Sequence, residues 1–218
     1  MRANRHTLLI GTRGSRLARI QAKTVREMLS SLHPERAWLL REIRSEGDVQ
    51  RRASLASIGG RGVFVKALED KLLAGDIDLA VHSLKDMPTR LATGLKIGAV
   101  PPREDARDAL VSRGGLALDD LPKGAVVGTG SARRRAQLLA YRSDLVIRDV
   151  RGNVDTRLRK LKNGSYDALI LAAAALIRLR RTSTVSQNLP LALMLPAAGQ
   201  GALAVEVRES DDEVMQLV

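Results

Sequence analysis

The sequence has no cysteine among its 218 residues. This excludes disulfides, thiolate metal ligands, a cysteine nucleophile and any cofactor held through a thioether to these residues. Aromatic residues are nearly missing, with one Trp, two Tyr and one Phe. The core must be built from Leu, Ile, Val and Ala, and there is no row of rings on which nucleic-acid bases would stack. Three scattered His argue against a zinc site, and no metal is expected. Long apolar runs are also absent. The longest, Ala168 to Ile177, falls well short of the roughly 20 residues that span a bilayer. The apolar stretch around Leu8 to Ile10 is far too short for a signal peptide. A soluble, cytoplasmic protein with no membrane partner is expected.

What is present points to an acidic ligand. There are 36 basic against 24 acidic residues, a formal charge of +12. Such a balance implies nucleic acid, phosphate or a carboxylate-rich small molecule as partner. No helix-turn-helix, zinc finger or RNA-binding signature occurs, so no nucleic-acid partner is expected. Hydrophobic content of 44% is enough for a real core, and the length allows one large or two small domains.

Along the chain, Thr7 to Ile10 reads as a strand, Gly11 to Ser15 as a turn and Ser15 to Leu32 as a helix, with Leu17, Ile20, Gln21, Thr24 and Met28 on one face. The glycine turn with Arg13 either holds an anion on backbone N–H groups or is an ordinary strand-to-helix turn. Trp38 to Ile43 is a second strand. Arg44 to Gly62 is a long polar stretch of the kind that is usually functional or mobile. A helix from Val63 to Ala74 follows, with Val63, Ala67 and Leu68 facing in. The apolar run Ile77 to Val81 then delivers His82-Ser83-Leu84-Lys85-Asp86-Met87-Pro88 to the end of a sheet, where ligands bind in open α/β folds. Asp86 there either shuttles protons and steadies a developing cation or caps a turn before Pro88.

Leu95 to Val100 is a further strand, and Pro101-Pro102 marks a boundary. Beyond it a second, mostly parallel α/β series begins: strands at Ala109–Val111, Ala125–Val127, Leu145–Val150 and Ala168–Leu171, and helices at 131–141 and 154–161. Pro196 to Gly201 is a second crossing, and Ala202 to Val207 a last strand that returns to the first domain. The expected domains are 1–101 plus 202–218, and 102–201. Two lobes joined by two crossings make a hinged cleft.

The second lobe carries Arg at element starts. Thr129-Gly130-Ser131-Ala132-Arg133-Arg134 and Arg151-Gly152-Asn153-Val154-Asp155-Thr156-Arg157 each follow a strand, and Arg178 lies further on. A helix N-terminus favours negative charge, so Arg placed there implies an anion in front of it. Arg grips carboxylate and phosphate bidentately, and several at strand ends would hold a polyanion.

Taken together, Thr12-Arg13-Gly14-Ser15 with Gln21, Gly59-Gly60-Arg61-Gly62-x-Phe64, Val81-His82-Ser83-Leu84-Lys85-Asp86-Met87-Pro88, Arg103-Glu104-Asp105, Val127-Gly128-Thr129, Arg151-Gly152-Asn153 and Leu195-Pro196-Ala197-Ala198-Gly199-Gln200-Gly201-Ala202 resemble the hydroxymethylbilane synthase (porphobilinogen deaminase) family. The segments run in family order over nearly the whole chain.

The resemblance implies an α/β fold of two lobes of the periplasmic-binding-protein type II kind, joined by two hinge crossings. It implies head-to-tail condensation of porphobilinogen, with loss of ammonia, into a linear tetrapyrrole. It implies that Asp86, beside Lys85, handles protons and stabilises the cationic methylene-pyrrole. It implies that Arg13, Ser15, Arg61, Arg133, Arg134, Arg151, Arg157 and Arg178 bind substrate carboxylates. Gln21, Phe64, Ser83, Thr129, Ser131, Gly199 and Gln200 would line the cleft, and the Arg44 to Gly62 stretch would be a mobile lid. The family's third domain, whose Cys holds a dipyrromethane cofactor, is absent from these 218 residues. A non-covalent pyrrole primer, or none, is therefore expected. The alternatives are a non-catalytic pyrrole-binding relative and the two-domain fragment of a three-domain enzyme. The expected partner is porphobilinogen, bound by a monomer, with a separate third-domain chain as the other arrangement.

Overall fold

The computed structural model describes residues 5–43 and 63–218, and only the backbone at Val63 and Phe64. The expected lid over Arg44 to Gly62, Arg61 within it and the side chain of Phe64 lie outside the described residues. The chain divides into two compact units, residues 1–103 with 202–218 and residues 104–201.

Unit 1 is built on β1 (Thr7–Arg13), β2 (Ala37–Ile43), β3 (Leu79–Ser83), β4 (Leu95–Ala99) and β10 (Leu203–Arg208). They form a five-stranded sheet in the order β2-β1-β3-β10-β4. β1 pairs parallel with β2 and β3, whereas β10 runs antiparallel between β3 and β4. Leu8 and Ile10 point to one face and pack with Val25 and Leu29 of α1 (Arg16–Leu32) and with Trp38. Each such buried Leu or Val stabilises the unit by about 1.5–3 kcal/mol relative to exposure. α2 (Val63–Leu73) covers the other face, where Leu68 and Leu72 meet Ile77 and Ala80. α6 (Asp212–Leu217) closes the unit.

Three expectations shift here. The buried face of α1 is Gln21, Ala22, Val25 and Leu29, and Met28 is exposed. Only Gln21 belongs to the face expected from periodicity. The small Ala22 and β-branched Val25 fit against the flat strands, and the longer Met28 does not. Second, β1 continues through Gly11, because a Cβ there would lie 2.3 Å from Ile77 Cδ1. Gly11 is a close-packing strand residue, so the turn shortens to Gly14 and Ser15, between Arg13 and α1. Third, the run that starts at Ile77 becomes strand only at Leu79. Asp78 instead accepts the Leu9 N–H at 2.8 Å and an Arg5 guanidinium N–H at 2.6 Å.

Unit 2 comprises β5 (Asp108–Ser112), β6 (Val126–Gly128), β7 (Val146–Arg148), β8 (Ala168–Ala172) and β9 (Gln187–Asn188). Their order in the sheet is β7-β6-β8-β5-β9. β6 is parallel to β7 and β8, and β5 is antiparallel to β8 and β9. The sheet is thus mixed where a mostly parallel one is expected, because β5 enters from the crossing in the opposite sense. Helices α3 (Ala132–Tyr141), α4 (Val154–Lys162) and α5 (Ala173–Arg178) cover it. Among the described residues no helix is long and apolar enough to cross a membrane.

Candidate active site

In unit 1 the polar groups gather at the C-terminal ends of the parallel strands β1 and β3, where loops leave the sheet and side chains escape the core. Ser15 caps α1 by accepting the Ala18 N–H at 3.2 Å, which fixes the turn that carries Arg13. β3 ends in one short 3₁₀ turn, Leu84–Asp86, and Pro88 stops it from becoming a helix. The turn places Lys85 half-buried and Asp86 exposed. Asp86, Arg13, Ser15, Gln21, His82 and Ser83 line a cavity of about 90 Å³ together with apolar groups of α1, α2 and β3. Gln21 Nε2 donates to Ser83 Oγ at 2.9 Å, tying the first helix to the strand that bears the acid. The Leu84 N–H donates to the carbonyl of Ala202 at 3.0 Å, so the turn is anchored to the residue that opens the return segment.

Unit 2 repeats the strand-to-helix turn twice. Ser131 caps α3 by accepting the Arg134 N–H at 3.5 Å, and buried Thr129 accepts the Ser131 N–H at 3.2 Å. Asn153 caps α4 by accepting the Thr156 N–H at 2.9 Å. The anion inferred in front of Arg133 and Arg134 proves to include one from the chain itself. Asp108, fully buried at the start of β5, accepts from both guanidinium groups at 2.7 Å and from Gln200 Nε2 at 2.8 Å. Burial alone pushes the Asp108 carboxyl up, but hydrogen bonds and charge from Arg134, then Arg133 and Gln200, hold it below the ordinary carboxylate value. Arg134 also donates to the Ile170 carbonyl at 3.0 Å and is buried. Its first task is structural.

Arg157 and Arg178 differ. Arg157 Nε donates to the Gly152 carbonyl at 2.8 Å, and Arg178 donates to the Gly201 carbonyl at 2.7 Å. Neither has a carboxylate partner among the described residues. Burial, then the Arg134 charge, weakens the hold of Arg157 on its proton. Burial does the same to Arg178, partly offset by Glu104. Partly buried guanidinium groups that bond to no carboxylate among the described residues suit an incoming carboxylate. Arg151 is exposed. Gly199 and Gln200 belong to the small-residue crossing, where Gly201 at φ +91° lets its carbonyl accept the Glu104 N–H at 3.2 Å. The donor set therefore fits the carboxylates of a pyrrole cofactor or substrate, although no thiol is present in these residues to attach one.

Sequence reasoning assigned no role to Asp108 or Glu206. Both announce themselves as lone charges on apolar strands, at Asp108-Ala109-Leu110-Val111 and within Leu203 to Val207. Among the described residues no group of three His, Asp or Glu is placed to hold a metal ion.

A family model described as porphobilinogen deaminase, dipyromethane cofactor binding domain, matches residues 8–216. A porphobilinogen deaminase of Desulforudis audaxviator is 52% identical over 214 residues, covering 98% of this chain and 69% of that protein. That of Geobacillus kaustophilus is 53% identical over 210 residues, covering 96% of this chain and 68% of the relative. Among solved structures, the periplasmic VFT2 domain of Bordetella pertussis BvgS has a TM-score of 0.56 at 14% identity, covering 99% of this chain and 86% of that one. An ancestral arginine-binding protein bound to arginine scores 0.50 at 17% identity, covering 98% and 89%. These two likenesses concern the fold, which is of the periplasmic-binding-protein type II kind.

Proposed function

This chain belongs to the porphobilinogen deaminase family, and on that premise we propose that Asp86 and Lys85 carry the chemistry while Arg157, Arg178 and Arg151, with Arg13 and Ser15, hold the carboxylates of the pyrroles. The activity is that of the family, a transferase that joins porphobilinogen head to tail into a linear tetrapyrrole. In each cycle the aminomethyl C–N bond breaks and the nitrogen leaves as ammonia. The free α-carbon of the ring at the growing end attacks the methylene-pyrrole cation of the incoming unit, and that carbon then gives up its proton. Asp86 faces the cation as a carboxylate and passes the protons, and Lys85 holds a neighbouring substrate carboxylate. Thr129, Ser131, Ser83, Gln21, Gly199 and Gln200 shape the turns that present these groups. Arg133, partly exposed, can offer further N–H groups to the ligand while it holds Asp108, and buried Arg134 keeps Asp108 in place.

The observation that carries the binding role is that Arg157 and Arg178, both partly buried, donate to the Gly152 and Gly201 carbonyls and to no carboxylate among the described residues. A pyrrole unit with acetate and propionate arms supplies the missing charge. The bound dipyrromethane of the family would supply the growing end to which units are added. For these 218 residues, which lack Cys, we propose that such a primer is held through its carboxylates by the same Arg. Intact mass before and after incubation with porphobilinogen, with product absorbance followed in parallel, tests this. Product at unmodified polypeptide mass is expected. A mass gain that survives denaturation overturns the non-covalent primer, and stabilisation by porphobilinogen without product favours a binding relative.

A further inference from the structure

Unit 2 holds a cavity of about 580 Å³ that includes none of the residues proposed to hold substrate. That is the size of a small-molecule site. Its floor is apolar. Val111 and Leu161 are buried there, and Leu158 and Val185 pack half-buried against the same cluster. Its wall is ordered by two hydroxyls. The Ser112 N–H donates to Ser186 Oγ at 3.0 Å, the two hydroxyl oxygens lie 2.9 Å apart, and Ser112 Oγ donates to the Leu116 carbonyl at 2.6 Å. Ser112 thereby uses its one hydroxyl proton, so the proton between the two oxygens comes from Ser186. Arg113, Arg159, Lys162 and Arg181, all exposed, form the rim, with Asp155 as the one carboxylate among the lining residues.

Arg159 and Lys162 lie in the last turn of α4, where a helix C-terminus favours positive charge with or without a ligand. That reason does not reach the other two cations. Arg113 follows β5 and brings Nη1 to 3.6 Å from where a Cβ on Gly164 would stand, just past the end of α4. Arg181 comes from a Schellman turn after α5, in which the N–H groups of Arg180 and Arg181 donate to the Ile177 and Leu176 carbonyls at 2.9 and 2.7 Å. Arg180 holds a φ of +55° there, the only positive φ of a non-glycine among the described residues, at a position usually given to glycine. The Arg181 contact with Asp155 is long, at 3.5 Å, and joins exposed groups. Arg113, Arg159 and Lys162 form no ion pair among the described residues. Four cations on three elements around an apolar floor are too spread for one compact anion. We propose that this cavity is a further ligand site, for a small molecule with an apolar body and carboxylates at two separated positions. The body covers Leu158 and Val185, and the guanidinium groups grip the carboxylates bidentately. The site stands whether or not Arg157 and Arg178 hold pyrroles.

Naphthalene-2,6-dicarboxylate, rigid and apolar with a charge at each end, is the probe. It is titrated into the isotope-labelled full chain, and binding is read from the amide signals of Ser112 and Ser186, whose N–H groups donate to Ser186 Oγ and the Leu110 carbonyl in the cavity wall. Reading at these two amides separates the cavity from any anion held at Arg157 or Arg178. Saturable shifts at both are expected. Citrate, which has charge without the apolar body, and 2-naphthoate, which has one charge, should bind about tenfold more weakly or worse. Arg113→Gln combined with Arg159→Gln changes only exposed side chains and should weaken the dicarboxylate about tenfold. Lys23→Gln combined with Lys123→Gln removes as much charge from exposed positions outside the cavity and should leave its Kd within roughly twofold. Silent Ser112 and Ser186 signals, equal losses in the two double variants, or citrate or 2-naphthoate binding as tightly as the dicarboxylate overturns the site.

Discussion

In both units three parallel strands lie beside one antiparallel strand, and in both that strand comes directly after a crossing: β10 in unit 1 and β5 in unit 2. In both, the first parallel strand runs into a Ser-capped helix, at Ser15 and Ser131. The units part at the third parallel strand. β3 ends in a 3₁₀ turn that exposes Asp86, whereas β8 runs straight into the alanine-rich α5. Their buried polar pairs also differ, His82 with Glu206 in one and Asp108 with Arg133 and Arg134 in the other. One frame thus carries an exposed acid in unit 1 and desolvated guanidinium groups in unit 2. A single connection, the one leaving the third parallel strand, separates the two without a change of fold.

The division of labour is broken most directly at the acid. Asp86→Asn keeps the shape of the turn and removes the base. Turnover should fall by about 10²–10⁴-fold while porphobilinogen still shifts the melting temperature. Steady-state kinetics with a thermal melt checks this, and unchanged turnover would refute the assignment. In unit 2 the largest effect should be on stability. Asp108→Leu leaves buried Arg134 without its counter-charge and is expected to cost about 3–5 kcal/mol in denaturant unfolding. The same pair sets an acid limit. The folded Asp108 value is depressed, so its contribution is complete above the ordinary carboxylate value and is lost as pH falls through the folded one. Acid unfolding followed by circular dichroism should lose part of that slope in Asp108→Asn.

A smaller effect is expected at the crossing. Gly201→Ala puts a Cβ about 2.3 Å from the Glu104 carbonyl at a φ of +91°, and should cost about 1–3 kcal/mol. The smallest sharpens the symmetry itself. Ser15→Ala and Ser131→Ala each remove one cap and should cost about 1 kcal/mol apiece, measured as matched shifts in urea midpoint. Unequal costs would show that one of the two turns draws its order from elsewhere.

Much of this was legible in the sequence because it is local. The Ser caps, the strand that delivers Asp86 and the break at Pro88 all come from residues close in sequence. The errors arose where a distant partner decides. Gly11 reads as a turn residue until Ile77 is placed against it. The buried carboxylate that Arg133 and Arg134 share is likewise out of reach of local reading, since Asp108 lies more than twenty residues away. The inward face of α1 slipped by one position because Ala22 contributes little to apolar periodicity yet fits closest to the sheet. β7 is shorter than its apolar run, since Leu145 and Val150 are buried outside the ladder.

The place of β10 inside the first sheet has a consequence for the order of events on the ribosome. Residues 104–201 are contiguous, so unit 2 has all its strands before β10 has been made. Until Leu203–Arg208 emerges, β3 and β4 have no strand between them, and the Leu84 amide has no Ala202 carbonyl to bond. Synthesis therefore completes the strands of unit 2 before it adds the strand that anchors the Asp86 turn. Nascent chains stalled just before β10 should protect unit 2 from protease while β3 and the Asp86 turn remain open to it.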